Sequence, residues 1–164
     1  MPEPRLECGV AMIWFVLCFL TAVVGGLASA QAPVFYAQLS QPLWAPPAWV
    51  FGPVWTVLYV MMALAAWLVW RQRSVRPVGP ALGLFAVQLV FNAAWSWLFF
   101  AWQTGGWAML DIVLLWVTLC LTLVRFWQIQ RMAGLLLVPY LLWVTFAAAL
   151  NYRIWQLNPV LLGA

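Results

Sequence analysis

The chain has 164 residues, of which 68% are apolar and 6% are charged, and its seven Lys or Arg against three Asp or Glu give a net charge of +4. Soluble domains carry about a quarter of their residues as charged side chains. This composition therefore excludes a soluble globular protein and predicts an integral membrane protein. The chain has no histidine, the commonest metal ligand, and we predict no metal site. Its cations are arginines at the ends of apolar segments, which indicates topology signals and no nucleic-acid partner.

Five apolar segments are long enough to cross a bilayer as helices, which takes about 20 residues each. We predict spans near residues 9–29, 48–70, 80–102, 107–127 and 134–156. These segments are continuously apolar, whereas barrel strands alternate in polarity. The sequence therefore predicts an all-α integral membrane protein, a five-transmembrane-helix bundle that forms a single domain over residues 1–164.

The first span has features of a secretory signal, because Arg5 precedes an apolar run that ends in Ala28-Ser29-Ala30. That run has about 19 residues, more than the usual 7–15 of a signal core, and Glu3 and Glu7 flank Arg5. We predict a retained helix instead. The two acids also argue against a mitochondrial transit peptide and favour a bacterial source.

The arginines predict how the bundle is oriented in the membrane. One end of the spans has Arg153 alone, whereas the other end gathers Arg5, Arg71, Arg73, Arg76, Arg125 and Arg131. Cytoplasmic segments are the ones enriched in cationic side chains. We therefore expect a cytoplasmic N-terminus, an external C-terminus and a bacterial inner membrane as the location.

The segment of residues 42–59 leads into the second span and holds four prolines and three tryptophans. Pro46 and Pro47 lie where a helix can begin without losing a backbone hydrogen bond. Trp44 and Trp49 flank them, at the depth where an indole ring is buried while its N–H stays hydrated. This segment predicts a rigid, aromatic-walled entrance to the membrane helix.

Polar and aromatic residues recur at helical spacing in the later spans. In the third span, Gln88, Asn92 and Trp95 share one helix face. Amide side chains in the middle of a membrane either hydrogen-bond between helices or contact a polar ligand, and the sequence is consistent with both roles. Similar faces occur in the other spans: Trp55, Tyr59 and Met62 in the second, Trp107, Asp111 and Leu114 in the fourth, and Trp143, Ala147 and Leu150 beside Asn151 in the fifth.

Asp111 is the single acidic residue within a predicted span. An intramembrane carboxylate is a functional candidate by default, but near the start of a helix it can also serve the macrodipole. No second carboxylate lies in a span, and Ser96 and Thr145 have no histidine or lysine partner. The sequence thus offers no paired acid and base and no nucleophilic triad.

Four segments match one known family in order and spacing. They are the W-A-P-P-A-W-V-F block that begins at Trp44, Q-L-V-F-N-A-A-W at residues 88–95, G-W-A-M-L-D at residues 106–111, and P-Y-L-L-W with a later L-N-Y at residues 139–152. The chain resembles the translocator protein / tryptophan-rich sensory protein family, also known as peripheral-type benzodiazepine receptors. The resemblance covers about residues 35–158.

The resemblance implies a five-helix bundle that binds porphyrins, sterols and benzodiazepine-like drugs beneath the first loop. By motif position its pocket comprises Val50, Phe51, Val54, Trp55, Gln88, Asn92, Trp95, Trp107, Leu114, Trp143, Ala147 and Leu150. The residue patterns add Trp44, Tyr59, Asp111 and Asn151 to the expected ligand-binding set. Trp55 and Trp143 match tryptophans implicated in the light-driven breakdown of protoporphyrin by some bacterial members.

We accordingly expect a membrane receptor or sensor for porphyrins (protoporphyrin IX or haem) that regulates tetrapyrrole metabolism or a stress response. The alternatives are a light-dependent protoporphyrin-degrading enzyme that uses Trp55 and Trp143, and a porphyrin or sterol transporter. No obligatory cofactor is expected beyond the porphyrin ligand. The family's sterol motif is incomplete, because Arg153 follows Tyr152 without a gap.

The expected partners are a hydrophobic small molecule, membrane lipid and a second copy of the chain. Bacterial members of the family often dimerise through their third helix, where this sequence has Gly79 and Gly83 at the spacing of a small-xxx-small contact. Some bacterial relatives are assigned to the outer membrane, which makes that location the alternative to the inner membrane.

Overall fold

The computed structural model describes residues 4–163, with side chains from Ala11 onward. Its helices are α1 (Pro4–Ala28), α2 (Ala32–Gln38), α3 (Phe51–Trp70), α4 (Gly79–Ser96), α5 (Gly105–Ile129) and α6 (Arg131–Leu157). Every helix except α2 contains a segment long and apolar enough to cross a membrane: Ala11–Ala28, Ala48–Trp70, Gly79–Ala101, Gly105–Ile129 and Arg131–Leu157. The prediction of five spans is confirmed, and each end lies within three residues of its predicted position.

The five long helices form a closed ring whose order differs from the order of the chain. Helix α1 packs against α3 and α4, α3 packs against α6, and α5 packs against both α6 and α4. Helices α3 and α4 are consecutive in the chain but touch only slightly across the ring. Residues brought together by the ring are therefore distant in sequence.

The two ends of the bundle differ in what connects the helices. The basic end carries the α3–α4 connection of residues 71–78, with Arg71, Arg73 and Arg76. The loop end carries the long connection of residues 29–50 and the C-terminal residues 158–163. At the basic end α5 and α6 are separated by Gln130 alone, whose backbone is extended. This single residue forces the two helices into an antiparallel pair.

The connection of residues 29–50 at the loop end contains regular secondary structure. Residues 32–38 form helix α2, which has Pro33 in its first turn, where a missing N–H costs no hydrogen bond. A single 3₁₀ turn (Ala48–Val50) then leads into α3. The sequence does not reveal helix α2, because a seven-residue helix is too short to be recognised by periodicity.

The side chain of Asn158 fastens this connection to the end of α6. Its Oδ1 accepts a hydrogen bond from Ser40 N at 2.8 Å, and its Nδ2 donates to Ser40 O at 2.9 Å and to Ile154 O at 2.8 Å. Asn158 is 6% exposed, so these bonds are shielded from water. They hold the residues after α2 against the last turn of α6.

Helix α4 ends in a wide π turn (Trp97–Ala101). Trp102 N donates to Trp97 O at 2.8 Å, and Thr104 N and Oγ1 both donate to Leu98 O, at 2.9 and 3.0 Å. Gln103 then adopts φ +55° to reverse the chain into α5. Single π turns occur often at functional sites, and this one places Phe100 next to the cavity described below.

Candidate functional site

A cavity of about 510 Å³ lies in the half of the bundle nearest the loop end, enclosed by α1, α3 and α4 beneath α2. Pockets for drug-sized ligands measure about 300–1,000 Å³. The cavity walls comprise residues from four parts of the chain. They are Phe15, Cys18, Phe19, Ala22, Gly25 and Gly26 from α1, Ser29, Ala32, Pro33 and Tyr36 from the loop-end connection and its helix α2, Ala48, Phe51, Gly52, Trp55, Thr56, Tyr59 and Val60 from the 3₁₀ turn and α3, and Asn92, Trp95, Ser96 and Phe100 from α4 and its π turn.

Aromatic rings form much of the cavity wall and brace one another. The rings of Trp55 and Tyr59 lie 5.6 Å apart at 33°, and Trp55 also meets Tyr140 edge-on at 6.1 Å. On α4, Trp95 stacks on Phe99 at 5.4 Å. Ring pairs at these separations are favourable beyond the area they bury. The wall therefore presents flat, polarisable faces whose positions are fixed before a ligand arrives.

A chain of hydrogen bonds runs from the cavity into the packed centre of the bundle. Tyr59 Oη donates to Asn92 Oδ1 at 2.5 Å, Asn92 Nδ2 donates to Tyr140 Oη at 2.7 Å, and Tyr140 Oη donates to Gln88 Oε1 at 2.8 Å. Tyr140 and Gln88 are both 0% exposed. Buried polar groups in a membrane helix need such partners. The network joins α3, α4 and α6 and fixes the polar end of the cavity.

Tyr36 closes the roof of the cavity from α2. Its hydroxyl donates to Pro46 O at 3.2 Å, and its ring meets Phe51 edge-on at 5.7 Å. Burial raises the pKa of the Tyr36 phenol above its usual value of 10.0, so the hydroxyl keeps its proton and remains a donor. Gln41 Nε2 also donates to Tyr36 O at 2.5 Å. Hydrogen bonds thus hold the roof both within the loop-end connection and to Asn158 at the end of α6.

A second, shallower space lies on the outer surface between α3 and α6. This groove measures about 570 Å³, and its lining is almost entirely apolar: Pro53, Val54, Val57, Leu58, Met61, Pro139, Leu142, Trp143 and Phe146. Trp143 contacts Phe51 edge-on at 5.9 Å, and its buried Nε1 has no hydrogen-bond partner among the described residues. The groove lies on the outside of the helix ring, within the membrane-spanning parts of α3 and α6.

A family model described as the TspO/MBR family matches residues 14–156 of the chain. The chain belongs to the TspO/MBR family. It is 43% identical over 148 residues to the tryptophan-rich protein TspO of Chlorobaculum tepidum, an alignment that covers 87% of this chain and 92% of the relative. It is 34% identical over 154 residues to the tryptophan-rich sensory protein of Cereibacter sphaeroides (94% of each chain). It is 41% identical over 127 residues to the human translocator protein (76% of this chain and 75% of the relative).

In this TspO/MBR protein the predicted ligand residues do not form one pocket. Five of them line the cavity: Phe51, Trp55, Tyr59, Asn92 and Trp95. Two line the outer groove instead, Val54 and Trp143. Gln88 does not line the cavity: its Oε1 accepts from Tyr140 Oη at 2.8 Å, and its Nε2 lies 3.9 Å from Met62 Sδ. Val50 is half-buried in the 3₁₀ turn, and Trp44 is 50% exposed and meets Phe146 edge-on at 5.7 Å.

The remaining predicted residues lie on α5 and α6. Trp107 and Leu114 face outward, with 64% and 42% of their surfaces exposed. Ala147, Leu150 and Asn151 are buried where helices meet. Asn151 Oδ1 accepts from Trp95 Nε1 at 3.1 Å, which supports the back of the cavity. The structure thus places these residues outside both spaces.

Asp111 is 7% exposed, and its Oδ2 has no hydrogen-bond partner within the described part of the chain. Helix α5 begins at Gly105, so Asp111 lies in its second turn. The helix dipole acts mainly within the first turn. An interaction with the dipole therefore accounts poorly for a carboxylate in the second turn. Over residues 4–163, no group of three or more His, Cys, Asp or Glu side chains could hold a metal.

Sequence reasoning missed two parts of the site. Tyr140 joins the amides of α4 to Trp55, and a tyrosine in the middle of an apolar span was the available signal. The wall from α1 was also missed, although Cys18, Ala22, Gly25 and Ser29 follow helical spacing on one face. These residues are small, and small residues in a first span also indicate ordinary helix packing.

Proposed function

We propose that this protein is a membrane receptor that binds protoporphyrin IX and related tetrapyrroles, haem among them, in the cavity between α1, α3 and α4. By binding them it reports tetrapyrrole levels to metabolism or a stress response. The observation that carries the proposal is the largely apolar cavity of about 510 Å³ with the rings of Trp55, Tyr59 and Trp95 in its wall. Such rings suit a flat aromatic macrocycle. Porphyrin is the ligand, and no resident cofactor is needed.

The electrostatics of the cavity predict how a porphyrin would lie in it. None of the described residues that line the cavity carries a charge. An unpaired carboxylate inside an apolar space costs several kcal/mol or more. The macrocycle would therefore enter with its propionates outward, at the level of the headgroups. A porphyrin whose propionates are esterified should bind at least as tightly as the free acid.

The test is a titration of purified protein in lipid nanodiscs with protoporphyrin in the dark, followed by tryptophan fluorescence. We expect saturable quenching at micromolar concentrations, equal or tighter binding of the dimethyl ester, and at least tenfold weaker binding by Trp55→Ala. Linear, unsaturable quenching would contradict the proposal. Loss of binding on esterification would show that the protein recognises the carboxylates, contrary to the proposed orientation.

A second candidate is the light-dependent degradation of protoporphyrin. One observation favours it: Trp55 lines the cavity, where its indole would contact a bound porphyrin, and it also contacts the rings of Tyr59 and Tyr140 at 5.6 and 6.1 Å. Illumination of the complex should then give a defined product that Trp55→Phe no longer forms. Bleaching at the same rate with both proteins would reject the enzyme.

The protein is a multi-pass membrane protein, and we propose the inner membrane, with the basic end and the N-terminus in the cytoplasm. Arg71, Arg73 and Arg76 at the basic end support this orientation. We also propose a homodimer through α4. Gly79 and Gly83 are exposed, and a Cβ on either would meet nothing within 4 Å, which leaves room for a second helix. Gly83→Leu should convert a cross-linkable dimer into monomer if α4 is the interface.

A further inference from the structure

The cavity is closed on some sides and open on one. On α1 and α3, six of its lining residues are exposed: Phe15, Phe19, Gly26, Gly52, Thr56 and Val60. We name these six residues the lateral opening. Both helices contribute from within their membrane-spanning segments, Ala11–Ala28 and Ala48–Trp70. The opening therefore faces lipid.

The seam between α1 and α4 is closed by contrast. The α4 residues that line the cavity are buried or half-buried: Asn92, Trp95, Ser96 and Phe100. A Cβ added to Gly25 would already lie 3.2 Å from Ser96 Oγ, which shows how closely the two helices approach there. A ligand cannot pass between them without moving a helix.

The roof is held in place by hydrogen bonds, although Pro33 of α2, which also lines the cavity, is exposed. Tyr36 is 5% exposed and is held by its bond to Pro46 O. Ser40 is fastened to Asn158 by two hydrogen bonds of 2.8 and 2.9 Å. Opening this roof toward water would break several bonds together, whereas the lateral opening needs none to be broken.

We infer that ligands enter and leave the cavity sideways from the bilayer, through the lateral opening between α1 and α3. The identity of the ligand rests on the proposed function, whereas the existence of the lateral opening is independent of it. An opening toward lipid admits molecules that dissolve in the membrane. Gly26 and Gly52 lie near the loop-end limits of their spans, so a ligand could slide in while its charged groups stay at the headgroups.

The two glycines give the test its variants. A Cβ on Gly26 or on Gly52 would meet nothing within 4 Å, so leucine at both positions fills the opening without displacing a neighbour. Gly9→Leu is the matched control, because it lies on the same helix and also meets nothing within 4 Å. Leucine favours a helix more than glycine does, so these variants should fold.

The first experiment needs no porphyrin. Ser96→Cys, on the wall opposite the opening, becomes the sole cysteine when Cys8, Cys18 and Cys120 are replaced by alanine. Its labelling in proteoliposomes is followed with a lipid-soluble maleimide and with a charged, water-borne maleimide. We expect the lipid-soluble reagent to react, the Gly26→Leu/Gly52→Leu pair to slow it at least tenfold, and Gly9→Leu to leave it unchanged. An unchanged rate in the double variant, or equally fast labelling by the charged reagent, would overturn the inference.

The second experiment measures protoporphyrin kinetics in the same proteoliposomes. A blocked route should slow both association and dissociation by at least tenfold. Loss of ligand contacts at the two leucines would instead speed dissociation. If association keeps its normal rate in the double variant but rises in Asn158→Ala, ligands pass the roof and the inference fails. If the wild type shows no saturable binding while the maleimide result holds, the proposed ligand fails and the lateral opening stands.

Discussion

Glycines on the α5–α6 side of the ring lie in close contact with neighbouring side chains, whereas Gly26 and Gly52 on the α1–α3 side have open space around them. On the α5–α6 side, a Cβ at Gly105 would lie 2.5 Å from Trp155 Cδ1, and one at Gly134 would lie 2.8 Å from Trp127 Cβ. On the α1–α3 side, a Cβ at Gly26 or Gly52 would meet nothing within 4 Å. The same residue type lets helices touch on one side and leaves a gap on the other.

This difference shows how a small bundle can be stable and still hold a ligand. Close approach of α5 and α6 supplies the packing contacts that drive helix association in lipid. On the opposite side, aromatic rings such as those of Trp55 and Tyr59 line the cavity, where they remain available to a ligand. A cavity in the tight side would cost stability, because buried space loses packing contacts.

The largest expected effect comes from adding volume to the tight side. Gly134→Val should destabilise the protein by about 2–3 kcal/mol, because its Cβ would collide with both the backbone and the ring of Trp127. Gly26→Val should change stability by less than about 0.5 kcal/mol. Thermal unfolding of both variants in one detergent makes the comparison, and equal melting temperatures would remove the distinction between the two sides.

The next effect separates the cavity from the outer groove. Trp55→Ala should weaken protoporphyrin binding at least tenfold, which corresponds to about 1.4 kcal/mol, because Trp55 lines the cavity. Trp143→Ala, in the groove, should weaken it less than threefold. Fluorescence of the porphyrin itself gives both affinities. The reverse ranking would move the ligand to the groove.

A smaller effect is expected for the hydrogen-bond network that joins α3, α4 and α6 through Tyr140. Tyr140→Phe removes the hydroxyl that accepts from Asn92 and donates to Gln88. We expect a loss of about 1 kcal/mol in stability, because two buried amides lose a partner. Tyr59→Phe should cost less, since it leaves the bonds of Tyr140 in place. A Tyr140→Phe protein that melts like the wild type would show that the network adds no stability.

The smallest effect is expected at the outer surface of the tight side. Trp116 is 39% exposed, and its Nε1 donates to Thr145 Oγ1 at 2.9 Å. Trp116→Phe should cost less than about 1 kcal/mol and leave porphyrin affinity within twofold. A tenfold loss of affinity would reveal a ligand contact on this surface, which the account does not include.

The sequence predicted the five spans well, because length and apolarity alone decide where a helix can cross a membrane. It also placed Gln88, Asn92 and Trp95 on one face, and all three are buried. Helical spacing gives such faces directly. It does not give their neighbours, because α3 packs against α6 and α1 rather than mainly against α4.

The predicted pocket was divided for this reason. The family resemblance placed Trp55 and Trp143 in one pocket, but the ring order puts Trp55 in the cavity and Trp143 in the groove. The short helix α2 and the π turn of α4 were also beyond sequence patterns. A long-range bond between Ser40 and Asn158 holds the residues after α2, and a local bond from Thr104 to Leu98 follows the π turn. Periodicity predicts neither bond.

Photoaffinity labelling tests the central claim most directly, which is that the ligand occupies the cavity behind the lateral opening. A protoporphyrin carrying a diazirine is bound to the protein in nanodiscs, activated at a wavelength the macrocycle does not absorb strongly, and mapped by mass spectrometry. The account predicts adducts on residues 15–29 of α1 and 51–60 of α3 that unlabelled protoporphyrin suppresses. Suppressible adducts confined to Leu142, Trp143 and Phe146 would place the ligand in the outer groove and contradict it.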